Sequence, residues 1–219
     1  MNFVGHVEVA RAVAGATTAS PGFLLGAALP DLAAMGRFRL AGRSADDDIA
    51  AGVDLHHRTD DAFHRHPLFR TTSSAVSTAL TEAGLSRGAA RACGHVGVEL
   101  MLDGHLLTRR TELRGAVDTA IAAAGDRTET LSELIEPAKR ADWRTHLGRL
   151  AAWDVPDDYD QPAAVARRLQ RILGHRPRLR FSADQIDTVA VGLDQYQQAV
   201  IEGAGDLLAD LEDQLADRA

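Results

Sequence analysis

The chain has 219 residues, 45% of them apolar and 25% charged, an ordinary balance for a folded globular protein and enough length to bury a substantial core. Its 31 acidic against 24 basic residues give a net charge of -7, which argues against nucleic acid as a main partner because holding a phosphate backbone takes an excess of Lys and Arg. A single cysteine, Cys93, excludes an internal disulfide framework, and no run approaches the roughly 18 apolar residues that span a bilayer.

Apolar residues recur at spacings of three and four, alanine is abundant, and alternating runs of β-branched and aromatic residues are missing, so the pattern predicts an all-α, single-domain helical bundle. Phe3, His6, Val7 and Ala10 share one face of a first helix. No basic leader precedes that helix, and His6 and Glu8 interrupt its apolar positions. The start therefore does not read as a secretory signal, and a cytoplasmic protein is expected. Ser20-Pro21-Gly22 breaks the chain before a second helix over Phe23 to Asp31, and Gly36 to Ser44 reads as a loop.

Asp46-Asp47-Asp48 supplies the cap and first-turn acids of a third helix, which Pro67 ends or kinks. Thr71 to Glu82 and Arg87 to Arg109 follow, separated by Gly84-Leu85-Ser86. The second of these is apolar nearly all round and so is expected at the centre of the molecule, with Cys93 as a small buried hydrophobe. Arg109 and Arg110 beyond it read as partners of its C-terminal dipole. Leu113 to Ala124, Leu131 to Ala152 and Gln161 to Gly174 look helical, an acidic loop from Asp154 to Asp158 separates the last two, and a long helix runs from about Ser182 to Leu215.

The third helix carries four of the nine histidines: His56, His57, His64 and His66. Ile49, Val53, His56, Asp60 and Phe63 form one stripe at helical spacing, so an apolar face continues directly into an imidazole and a carboxylate. A carboxylate in such a place must be paired, protonated or bound to a cation. Divalent cations in hydrolytic sites take His nitrogens and carboxylate oxygens and keep a position open for water or substrate. Suitable groups occur on four helical segments: His6, Asp31, His56 with Asp60, and Asp103 with His95, Glu99 and His105. For His6 alone a satisfied core histidine is the plainer reading, and for Asp31 a helix-terminal or turn acid. His57, Asp61, His64 and His66 fall to the side of the stripe, where a solvated face is the simpler expectation for about half of them. His64 is close enough in direction to Asp60 to add a ligand or to orient one. Arg58 reads as a surface charge or a donor to a substrate phosphate. Phosphate loops of the P-loop type, CxxC pairs, HExxH and the G-x-S-x-G elbow are all missing.

These segments together resemble the acyl-carrier-protein phosphodiesterase family, which is related to the HD-type metal-dependent phosphohydrolases. Met1-Asn2-Phe3-Val4-Gly5-His6 is similar to that family's M-N-F-L-A-H start, and Gly26-Ala27-Ala28-Leu29-Pro30-Asp31 to its G-N-L-L-A-D segment. Ile49 to Val53 with His56-His57-Arg58-Thr59-Asp60 resembles A-G-I-x-x-H-R-R-I-D, His66-Pro67 matches the following H-P, and Arg176-Pro177-Arg178-Leu179 is similar to R-P-R-L. The resemblance implies an HD-domain-like helical fold and a divalent metal (Mn, Mg, Fe or Zn) held by His6, Asp31, His56, Asp60 and Asp103. It also implies hydrolysis of a phosphodiester; for the catalytic roles the candidates are Asp31 as a ligand or proton acceptor, Asp60, and Arg58 to steady the phosphate. In the named enzymes the substrate is holo acyl carrier protein, from which phosphopantetheine is released. Another small phosphoester or a nucleotide, or a helical binding module without chemistry, are the alternative expectations.

Where the family reads D-x-x-x-D-H on the central helix, this chain has Glu99 to Asp103 followed by Gly104, and His64 stands where the family's T-D-x-H-P has its acid. His105 is one residue late, a rotation of about 100° on a helix. His64 and His95 are therefore the residues expected to compensate, with His66, Glu99 and His105 as further candidates. An acidic protein partner would need a local basic face, for which Arg37, Arg39, Arg43, Arg58, Arg65 and Arg70 are available.

Overall fold

A computed structural model describes residues 1–15 and 17–216. Among the described residues the chain is all-helical, with no strand: α1 (Phe3–Ala14), α2 (Pro21–Met35), α3 (Asp47–Arg65), α4 (Pro67–Glu82), α5 (Arg87–Arg109), α6 (Thr111–Asp126), α7 (Thr128–Glu133), α8 (Arg140–Ala151), α9 (Pro162–Leu173) and α10 (Ile186–Ala216). Short 3-10 turns occupy Pro137–Lys139 and Ala183–Gln185. No described helix is long and apolar enough to cross a membrane.

α2 runs one turn past its expected end at Asp31, to Met35, and at three other places where the helices differ from the sequence expectation a proline is present. α2 starts at Pro21, with Ser20 as the N-cap accepting a hydrogen bond from the Phe23 N–H at 3.1 Å. α4 starts at Pro67 rather than Thr71, and His66 caps it: its Nδ1 accepts from the Leu68 N–H at 3.2 Å while its Nε2 faces Asp210 Oδ2 at 3.2 Å. Proline at the first helical position loses nothing, since its absent N–H would have had no partner there. The expected single helix from Leu131 to Ala152 is instead α7, a 3-10 turn and α8. Pro137 forces Glu136 into an extended conformation (φ -46°, ψ 130°), which interrupts the ladder.

The chain divides into two compact units. The first comprises Met1–Asp61, Arg110–Val155 and Leu211–Ala219, and the second Ala62–Arg109 and Pro156–Asp210. The boundaries fall inside α3 after Asp61 and inside α10 after Asp210.

In the first unit α1 packs on α2 and α6, and α6 packs on α2 and α8. Its core holds Phe3, Leu25, Leu29, Ile49, Leu113 and Trp143, all almost fully buried. α2 and α3 touch at two glycines: a Cβ on Gly26 would strike the Ile49 carbonyl and Gly52, and one on Gly52 would strike the Phe23 carbonyl and the Ala27 N–H. Helix backbones approach that closely only where side chains are absent. Buried Glu8 is paired with Arg11 and with Arg110, so Arg110 neutralises a core carboxylate instead of acting as a dipole partner of α5.

In the second unit α5 packs on α4 and α9. The sequence placed both ends of α5 correctly, and its buried face runs from Ala89 through Cys93, Val98 and Met101 to Leu106. Burial pushes the Cys93 thiol up to about 12, consistent with its expected role as a small hydrophobe. Gly94 lets the Ser73 carbonyl of α4 approach α5, and Gly97 accommodates Leu193.

Candidate metal centre

The first unit gathers His6 from α1, Asp31 from α2 and His56 from α3, with one ligand atom from each lying within 4.8 Å of the others. His6 arrives on a helix buried from Phe3 to Ala10. Asp31 follows Pro30, which sits inside α2 and removes the hydrogen bond its N–H would have made one turn earlier. His56 is brought in by the crossing of Gly26 and Gly52, which puts its Nδ1 2.8 Å from the Ala27 carbonyl oxygen.

That last contact fixes the chemistry of His56. A carbonyl oxygen only accepts, so Nδ1 carries the proton and Nε2 keeps its lone pair. Burial, and after it the neighbouring His6, lower the His56 pKa to about 3, so the ring stays neutral at physiological pH. Metal-binding histidines have this arrangement, with the distal ring nitrogen held by a backbone carbonyl and the other presented for coordination. The His6 and His56 rings stack with centroids 3.8 Å apart.

His6 Nε2 faces three oxygens: the Met1 carbonyl at 3.1 Å, Asp60 Oδ1 at 3.7 Å and Asp31 Oδ2 at 3.9 Å. Asp60 Oδ1 also accepts from the Met1 ammonium at 2.8 Å. Asp31 Oδ2 is shielded from solvent although its side chain as a whole is about one-quarter exposed. Two imidazoles and one carboxylate from three helices, with Asp60 beside His6, form a donor set that suits a divalent cation such as Mn, Fe or Zn. The residues present therefore fit the implied metal.

The group does not include the other predicted site residues. Arg58 sits on α3 between His56 and Asp60, half-buried. His57 is exposed, its ring edge-on to His56. His64, His95 and Glu99 form a separate group in the second unit. His66 is taken up as the α4 cap. Asp103, also in the second unit, is fully buried, and its charge adds to burial in pushing the Tyr159 hydroxyl up to about 12. The backbone of Tyr159 and Asp160 lies directly against Gly104, so a side chain at the position where the family has histidine would collide with main chain. His105 faces a cleft of about 620 Å³ lined also by Arg109, Asp160, Gln197 and Glu202.

One residue that sequence reasoning missed supports the Asp31 helix. His146 on α8 has its Nε2 2.8 Å from the Leu32 carbonyl, so it donates to the end of α2, and its ring fills the space beside Gly36. Phe38 then packs edge-on to Trp143 at 5.0 Å, leaving Arg37 and Arg39 exposed on either side. Arg37 adopts a positive φ of 62° to make this turn. A glycine followed by an aromatic residue was the available signal, but it names no partner.

Comparison with known proteins adds no relative: no family model, no curated protein and no solved structure matches the chain.

Proposed function

We propose that the chain is a metal-dependent phosphohydrolase, most specifically a phosphodiesterase, with His6, Asp31, His56 and Asp60 of the first unit as its metal site. The observation that supports this reading is the convergence of His6, Asp31 and His56 from three helices, with the tautomer of a buried, neutral His56 set by the Ala27 carbonyl. A divalent cation in this setting supplies Lewis acidity toward a phosphoryl oxygen and acidifies a water molecule. His56 would contribute its Nε2 lone pair without adding charge, and His6 would do the same in the tautomer whose Nε2 gives up the Met1 carbonyl contact. Asp31 and Asp60 would balance the cation, and the more exposed of the two, Asp60, would be the one to accept a proton from water. Arg58 offers a guanidinium for a substrate phosphate.

The motif resemblance makes holo acyl carrier protein the first substrate to test. An acidic carrier would also be favoured by the cleft of about 570 Å³ at the end of α2, where Arg37, Arg39 and Lys139 line a wall in the same unit. Gly104 favours the second reading, a different small phosphoester or nucleotide, because the Tyr159–Asp160 backbone occupies the place of the family's histidine.

The test is turnover by manganese-loaded protein of holo acyl carrier protein, bis(p-nitrophenyl) phosphate and a cyclic-nucleotide panel. Phosphopantetheine release, abolished by His56→Ala and reduced at least a hundredfold by Asp31→Asn, is the expected result. A protein that turns over none of these, or whose metal content is untouched by His56→Ala, overturns the proposal.

A further inference from the structure

The second unit carries a cluster that the proposed phosphohydrolase site does not use. His95 and Glu99 stand one turn apart on α5, and His64 comes from the end of α3. Nε2 of each histidine lies 3.2 Å from the same Glu99 Oε1. The two rings stack, 4.9 Å apart with 24° between their planes, so the two nitrogens stand side by side over that oxygen. Phe69 holds them there, standing edge-on to His64 at 4.9 Å and to His95 at 5.0 Å.

Glu99 is 9% exposed. Burial would raise its carboxyl, but hydrogen bonds from His64 and then His95 more than offset this and hold it below the ordinary carboxylate range. An ionised, shielded oxygen is thus flanked by two imidazoles that are themselves about one-third and one-half exposed. His64 and His95 both line a cleft of about 1040 Å³, whose walls also carry Arg70 and Arg91.

Zinc bonds of about 2.0–2.2 Å to His nitrogen and carboxylate oxygen set tetrahedral ligand-to-ligand distances of roughly 3.4 Å. The two 3.2 Å separations match that edge. Two histidines and one glutamate are also the donor set of zinc sites that keep a fourth position for an exogenous ligand. Here exposure of both rings puts that position on the cleft side, where Arg70 and Arg91 favour an anion.

We propose that His64, His95 and Glu99 form a second divalent-cation site of the zinc class, filled separately from the His6–Asp31–His56 group and open to the cleft. The proposal does not rest on the phosphohydrolase reading.

Cobalt(II) serves as the probe, because tetrahedral coordination gives an intense visible absorption that octahedral coordination lacks. Metal-free protein titrated with cobalt is expected to develop this band and to bind two equivalents. His95→Ala, at an exposed position that leaves the core intact, should remove the band, release one equivalent and weaken zinc binding at least a hundredfold. His64→Ala repeats the measurement from the other helix. In His56→Ala the band should persist with one equivalent bound. Loss of all metal in His56→Ala, or a band unchanged in both His95→Ala and His64→Ala, overturns this site and leaves the first reading standing. Loss of all metal in His95→Ala with none lost in His56→Ala supports this site and overturns the first.

Discussion

His56 in the first unit is 6% exposed and Glu99 in the second is 9% exposed, yet the first is kept neutral and the second charged. His56 is kept neutral by burial and the neighbouring His6, and its tautomer is set by main chain: two glycines let α3 settle on α2 until the Ala27 carbonyl accepts a hydrogen bond from Nδ1. Glu99 is governed by side chains, two imidazoles that reach it from partly exposed positions. The first arrangement should break when helix packing changes and tolerate changes at the surface. The second should survive small shifts of helices but not the loss of either histidine. A buried ionisable group is informative about chemistry only together with whatever fixes its protonation.

The largest effect should come from restoring the residue that the motif resemblance expects. Gly104→His would drive a side chain into the Tyr159–Asp160 backbone, which cannot rotate away as a side chain can. A loss of about 3 kcal/mol or more in urea unfolding is expected. If the variant is as stable as the parent and binds additional metal, main-chain packing does not limit the second unit at this point, and the contrast between the units fails there.

Next comes Gly52→Ala, whose methyl group would strike the Phe23 carbonyl and the Ala27 N–H. Forcing α2 and α3 apart should cost about 2–3 kcal/mol. It should also weaken metal binding by the first group, since His56 would lose its carbonyl, while the cobalt band of the second group remains. A Gly52→Ala protein with unaltered metal affinity at the first group would show that the close crossing does not position His56.

Acidification separates the units by pH window. In metal-free protein His56 stays neutral when folded but takes a proton near 6.5 when unfolded, so the unfolded state binds more protons between about 6.5 and 3 and stability falls as pH falls through that range. The slope is at most about 1.4 kcal/mol per pH unit, or about 2 kcal/mol between pH 6.5 and 5. Glu99, with its carboxyl depressed, contributes stability that is fully present above its ordinary value of 4.5 and is lost only below it. Thermal melts from pH 7 to 5 should therefore fall for the parent and flatten in His56→Asn.

Much of the fold could be read from the chain because its elements follow local rules. The ends of α5 came from the turn before Arg87 and the loss of apolar character at Arg109, and the His56–Asp60 stripe followed from periodicity alone. Three of the misses have a common cause. Pro21 and Pro67 each start a helix and Pro137 starts a 3-10 turn, and only tertiary context shows which residue becomes the cap; at α4 it was His66. The candidate site was legible in which residues bear the chemistry but not in their grouping. Nothing in the spacing of His64, His95 and Glu99 distinguishes a shared site with His56 from a group of their own, because that depends on how α3 meets α5 near Phe69. The tautomer of His56 was equally hidden, since it follows from an approach of backbones at Gly26 and Gly52.

The smallest effects sharpen the comparison by showing which glycines carry none of it. Gly115 on α6 and Gly205 on α10 lie in helices, one in each unit, and a Cβ on either would meet nothing within 4 Å. Replacing such a glycine by alanine removes backbone freedom from the unfolded chain without adding a clash, which stabilises by about 0.5–1 kcal/mol. Gly115→Ala and Gly205→Ala should each raise the urea midpoint by that amount and add in the double variant, because the positions share no partner. Metal content and the cobalt band should not change. If either substitution instead destabilised the protein as Gly52→Ala is expected to, glycine content itself would be limiting, and the special role given to the α2–α3 crossing would have to be abandoned.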